Sequence, residues 1–225
     1  MQNETQTQRK WLVLGLALWF LIVLSVVSVR ALTVTDVYPN DLNKITGLAI
    51  TSGKAVLLED YNETYRVPYP SHDGYAIVNK DGKYFDKVFT FDSNDLNNPT
   101  WELDFMIKNT TPYDWSDYHF EFWDKDFQNR YDKFPLVEYS STVFQNDRFD
   151  GKVLEFWAPG WQQSNSTETF VLKIDLAKID QNLGGQGYGS FGIRQVATTV
   201  PEPTSMLLVG SALAGLFLAR KRIKQ

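Results

Sequence analysis

Trp101-Glu102-Leu103-Asp104-Phe105-Met106-Ile107-Lys108 alternates large apolar side chains with charged ones: Trp101, Leu103, Phe105 and Ile107 share one parity, Glu102, Asp104 and Lys108 the other. Successive side chains of a strand point to opposite faces, so this stretch predicts a half-buried β-strand. Phe120-Glu121-Phe122 and Phe170-Val171-Leu172-Lys173-Ile174 repeat the theme. Working outward, short β-prone runs broken by Gly, Pro, Asn and Asp predict further strands over 32–38, 45–50, 54–58, 64–68, 74–78, 84–91, 118–123, 152–157 and 190–195. No central window carries a strong helical stripe. The expected fold is all-β, an antiparallel β-sandwich with a barrel or jelly-roll variant as the alternative. The irregular stretch 125–147 reads as loops over one end.

The 225 residues include no cysteine, so disulfides, thiolate metal sites and cysteine nucleophiles are excluded, and a packed core must supply stability. Aromatic residues make up 15% of the chain and provide large buried areas. Charge is distributed unevenly. Of 27 acids and 22 bases, 25 acids and 15 bases fall between Leu32 and Thr199, giving that centre a net charge of −10. Such a centre is a poor partner for nucleic acid or anionic lipid.

The ends carry the bases. Arg9 and Lys10 precede an uncharged apolar run from Trp11 to Val29, and Val29-Arg30-Ala31 fits the residues before a signal-peptidase cut. Residues 1–31 therefore read as a signal peptide cleaved after Ala31, leaving Leu32 first; the competing reading is an uncleaved anchor, since the run is long enough to span. At the other end, Val200-Pro201-Glu202-Pro203 precedes an apolar run from Thr204 to Ala219 and the basic cluster Arg220, Lys221 and Arg222. The prolines hold an extended segment. The apolar run, at ~1.5 Å per residue, falls short of a ~30 Å hydrocarbon core. Both basic ends prefer the cytoplasm, which places residues 32–199 beyond the inner membrane.

The tripartite tail over 200–225 resembles the PEP-CTERM sorting signal of Gram-negative bacteria, with Gly210, Ala214 and Gly215 where that family tends to place small residues; Lys221 and Lys224 dilute its usual arginine run. The resemblance implies recognition by an exosortase, a membrane-embedded transpeptidase-like enzyme acting near the proline motif. Asn109–Phe122 and Ser190–Gln195 also look like segments of PEP-CTERM ectodomains, which implies a β-sandwich and no activity.

Chemistry in the centre is sparse. His72 and His119 are the only histidines, and no Gly-x-Ser-x-Gly, His-Glu-x-x-His or phosphate loop occurs. His119, Glu121 and Asp117 share a strand face, which reads as solvated polar residues in preference to an acid/base set. Asp92-Ser93-Asn94-Asp95 and Asp124-Lys125-Asp126 offer oxygens of the kind Ca²⁺ takes, yet lack the EF-hand spacing and closing glutamate, so ordinary Asp/Asn turns are the first reading and structural calcium the second. No other cofactor or metal is expected. Tyr113, Trp115, Trp123, Trp157 and Trp161 flank turns; Trp115 and Trp161 are the candidate carbohydrate contacts, against core packing. Asn62, Asn109 and Asn165 open glycosylation triplets.

The expectation is an exported, non-enzymatic surface or extracellular-matrix protein that meets signal peptidase, the inner membrane in transit and an exosortase, with a structural or adhesive role alongside exopolysaccharide. A carbohydrate-binding module is the alternative, and a surface hydrolase a further one.

Overall fold

The computed structural model describes residues 32–37, 45–61, 65–69, 74–79 and 82–199. The expected signal peptide (1–31), the sorting tail (200–225), His72 and Asn62 lie outside them. The described residues form thirteen strands: β1 (Thr33–Asp36), β2 (Ile45–Thr51), β3 (Lys54–Asp60), β4 (Tyr65–Tyr69), β5 (Gly74–Val78), β6 (Phe85–Phe91), β7 (Thr100–Lys108), β8 (Trp115–Asp124), β9 (Leu136–Ser141), β10 (Asn146–Phe149), β11 (Val153–Gln162), β12 (Thr167–Asp175) and β13 (Gly189–Thr199). One short helix, α1 (Leu176–Asn182), follows β12.

Two sheets result. The larger runs β1-β6-β13-β8-β11-β10, with β5 pairing the far end of β13 and β4 pairing β5; the smaller runs β2-β3-β7-β12-β9. They meet through a shared aromatic core. Phe105 of the smaller sheet lies 5.0 Å from Phe120 and 6.2 Å from Phe89 of the larger, and Phe170 sits 4.5 Å from Tyr118 and 5.3 Å from Phe156. On β7 the expected alternation is realised, with Trp101, Leu103, Phe105 and Ile107 all buried. Each such side chain contributes about 1.5–3 kcal/mol by leaving water.

Three expectations need correction. The pairing is mixed, because β3 and β7 run parallel from Lys54↔Glu102 to Asp60↔Lys108. Between them the chain visits β4, β5 and β6 in the other sheet, so it returns by crossover and not by hairpin. Next, 125–147 contains β9 and the start of β10. Both are edge strands with no buried position, so they carry little alternation to read. Finally, α1 is capped by Asp175, which accepts the Lys178 N–H at 3.1 Å, and buries Leu176, Ile179 and Asp180. Two turns are too few to raise a helical period above the strand background.

No helix among the described residues is long and apolar enough to cross a membrane. The span expected over 204–219 lies outside those residues.

Candidate functional site

Strand β13 organises the molecule's functional end. It is flanked by β6 and β8 through most of its length, and its last residues face β5: Thr198 opposes Ala76 and Asp117, and Thr199 opposes Tyr75. Thr198 and Thr199 are both buried. The sheet therefore holds the backbone firmly up to the residue before Val200. The sorting residues Val200, Pro201, Glu202 and Pro203 and the cluster Arg220, Lys221 and Arg222 lie beyond the described residues.

Comparison with known families bears on this junction. Residues 199–222 match the PEP-CTERM protein-sorting motif. The chain carries a PEP-CTERM sorting signal. That signal implies an exported protein that passes the membrane, with an exosortase as its processing partner. Among curated proteins, no match to the chain was found.

The predicted ectodomain residues of this exosortase substrate divide sharply. Trp115 is fully buried: its ring packs 5.0 Å from Tyr61 and 5.8 Å from Tyr118, and its Nε1 donates to Thr111 Oγ1 at 3.2 Å. With no free face it cannot stack on a sugar, which corrects that expectation. Trp161 is 46% exposed and Trp157, four residues before it on β11, 37%. Asn109 is also buried, its amide donating to the Tyr113 and Gln162 carbonyls at 2.8 and 3.1 Å, so no glycan can attach there. Asn165 is exposed.

His119 and Glu121 are not solvated as expected; both are buried on the outer face of the larger sheet. His119 Nε2 lies 3.2 Å from Asp117 Oδ1, with the Tyr69 ring of β4 5.9 Å away. Glu121 is held by Arg130 at 2.6 Å and by Trp123 Nε1 at 3.0 Å. Beside it, Arg194 binds Asp86 and lies against the Tyr84, Trp123 and Phe127 rings at 4.9–5.4 Å. Gly192 makes room for this cover, since a Cβ there would meet Phe127 Cζ at 2.7 Å and the Asp124 carbonyl at 2.8 Å. The acid/base candidates are thus held by neighbouring polar side chains, with the Tyr69 ring near His119 and the Trp123 indole against Glu121.

The two acidic turns direct their oxygens at N–H groups. Asp95 accepts from Leu32 and Asp92 at 3.0 and 2.9 Å, and Asp124 from Gln128 and Asn129 at 2.8 and 3.0 Å. Among the described residues, no three His, Asp or Glu side chains gather as metal ligands would. A cleft of about 850 Å³ lies between 132–137, 149–151 and α1, with Asp132, Lys133, Asp150 and Lys178 on its walls.

One polar constellation escaped the sequence reading. Lys87 is 2% exposed and lies inside the sandwich, its Nζ 3.0 Å from Asp36 Oδ1 on the neighbouring β1 and 3.1 Å from Glu59 Oε2 on β3 of the opposite sheet. Gln195 Nε2 donates to both Glu59 oxygens at 3.1 and 3.3 Å. The Tyr61 and Tyr118 hydroxyls in turn reach Gln195 Oε1 at 3.0 and 2.5 Å. Burial pulls the Lys87 ammonium down, but the facing Glu59 and Asp36 carboxylates more than reverse this, leaving its pKa above the ordinary lysine value. A sequence signal existed. In Phe85-Asp86-Lys87-Val88-Phe89-Thr90-Phe91 the lysine occupies the parity of the phenylalanines, as Glu59 follows Ala55 and Leu57 and Gln195 follows Phe191 and Ile193.

Proposed function

We propose that this exosortase substrate is a non-enzymatic protein whose β-sandwich ectodomain is delivered to the cell surface or the exopolysaccharide matrix, where it has a structural or adhesive role. The observation that carries this reading is the junction: the sorting motif begins at Thr199, inside the central strand β13, so the signal displays a braced domain directly. Signal peptidase would act after Ala31. In support, Leu32 is buried with its N atom 3.0 Å from Asp95 Oδ1, an arrangement that suits a new α-ammonium group. The role requires no cofactor.

Intact mass and cell fraction of the native protein, compared with a Pro201→Ala, Glu202→Ala, Pro203→Ala variant, test it. A native product beginning at Leu32, ending near residue 200 and held at the surface or released is expected, with the variant retained full-length in the inner membrane. An uncut native tail would reduce the chain to a plain anchored ectodomain, and turnover of any glycan or peptide by the purified native protein would replace the non-enzymatic reading.

The exposure of Trp157 and Trp161 on one strand favours a second reading, carbohydrate binding through aromatic stacking. Retention on purified matrix glycan that is lost in Trp161→Ala would establish it; equal retention would remove it.

A further inference from the structure

The Lys87 constellation has more parts than a buried ion pair needs. Lys87 and Asp36 stand directly opposite each other on adjacent antiparallel strands, so backbone pairing fixes an amine against a carboxyl carbon. The second Asp36 oxygen, Oδ2, accepts the Ile45 backbone N–H at 3.1 Å. Glu59 touches the amine from the other side, its carboxylate oriented by Gln195. Burial pushes the Tyr61 and Tyr118 hydroxyls well above the ordinary tyrosine value, so they stay protonated and serve to orient the Gln195 amide. Phe85 and Phe89, at inward positions of β6 beside Lys87, are both buried. The parts are a nucleophile, an electrophile, a donor for a developing oxyanion and a base, preorganised around the buried Lys87 and Glu59.

We propose that Lys87 and Asp36 condense in the folded domain to an intramolecular isopeptide bond, with Glu59 carrying the proton. Glu59 takes one proton from the ammonium, and the freed Nζ lone pair attacks Asp36 Cγ, forming the C–N bond. Negative charge gathers on Oδ2, facing the Ile45 N–H. Collapse of the adduct breaks the Cγ–Oδ1 bond, and Oδ1 leaves as water. Of the three ammonium hydrogens, one stays on the amide nitrogen and two depart with that water, one of them returned through Glu59, which ends as it began. No oxidant or cofactor is consumed. Glu59 is the general acid/base, whereas Asp36, directly paired with the amine across β1 and β6, is the acceptor; Glu59 itself is held by Gln195 through both oxygens.

The reaction exchanges the buried Lys87 charge and the partly buried Asp36 charge for a neutral amide. It also fastens β1, an edge strand at the start of the ectodomain, to the sheet interior. In a chain without cysteine, this is the covalent clamp that its side chains can still form.

The test is tandem mass spectrometry of the full chain, purified from the exporting cell, denatured and digested with trypsin. A branched peptide joining the Asp36 and Lys87 segments is expected, lighter by one water than its two parts, with no cleavage after Lys87. Glu59→Gln, which retains both partners, should yield the two unlinked peptides and regain that water. Lys87→Arg, which keeps the charge and lacks the primary amine, should also show no link. Unlinked Asp36 and Lys87 peptides from the wild type would overturn the proposal, as would a bond from Lys87 to Glu59 or a linked peptide surviving in Glu59→Gln.

Discussion

Arg194 grips Asp86 with two parallel hydrogen bonds, Nε to Oδ1 at 2.8 Å and Nη2 to Oδ2 at 2.9 Å, from directly opposite positions on β13 and β6. The fork geometry matches a carboxylate in a way an ammonium cannot, and the aromatic stack around the guanidinium covers it from water. Asp86 is almost wholly buried, with Arg194 as its close cationic partner.

Arg194→Ala is therefore expected to cost about 3 kcal/mol, since it strands a buried carboxylate. Arg194→Lys keeps the charge but loses the fork and the stack, for a cost of about 1–2 kcal/mol. Urea unfolding midpoints at constant slope measure both. A lysine variant as stable as wild type would show the pair to be an ordinary surface bridge.

The two tryptophans expected to touch sugar should behave oppositely on truncation. Trp115→Ala empties a core site and is expected to cost about 3–5 kcal/mol. Trp161→Ala changes an exposed side chain and should stay within about 0.5 kcal/mol of wild type. Thermal unfolding of the pair checks this. A large loss at Trp161 would mean that it packs, and would remove it as a binding residue.

These tryptophans also mark where sequence reading succeeds and where it stops. Period-two alternation located β7 and β12 because one face of each meets the opposite sheet and the other meets water, where Lys54 pairs with Glu102 and Asp104. The same rule misplaced His119 and Glu121. Alternation reports that two faces differ, yet covering of the outer face by Tyr69, Trp123 and Arg130 is a tertiary event with no local signature. Trp115 failed for a related reason: it starts β8 beside a turn, and only the fold brings Tyr61 and Tyr118 against it. The sorting motif was legible because it is read as a linear segment, whereas the Lys87 site needs three strands from two sheets.

Acid should weaken the domain through carboxylates with depressed pKa values. At Asp124, burial pushes the pKa up, but the N–H donors of Gln128 and Asn129 more than offset it and hold it below the ordinary value; Asp150 is lowered in the same way by Val153 and Lys152. Glu102 is lowered by its hydrogen bond to Lys54. A depressed carboxylate stabilises fully above its unfolded pKa of roughly 4 and loses that contribution as pH falls through the folded value. Stability should hold from neutral pH to about 5 and decline below about 4. The gap in urea midpoint between wild type and Asp124→Asn should narrow across that lower range; a gap constant from neutral to acid would rule Asp124 out as a source of the decline.

Processing at the sorting motif should be limited by how little free backbone precedes it. Thr198 and Thr199 are buried, Thr198 paired with both β5 and β8 and Thr199 with β5. Engaging residues before Val200 would require peeling the end of a central strand from two neighbours. The mature C-terminus is thus expected at or beyond Val200, and inserting a short Gly-Ser segment between Thr199 and Val200 should speed processing while leaving the unfolding midpoint unchanged. Pulse-labelling with mass analysis of the product reads both rate and terminus. A native terminus inside β13, or an unchanged rate on insertion, would show that the enzyme takes the motif without needing the strand before it.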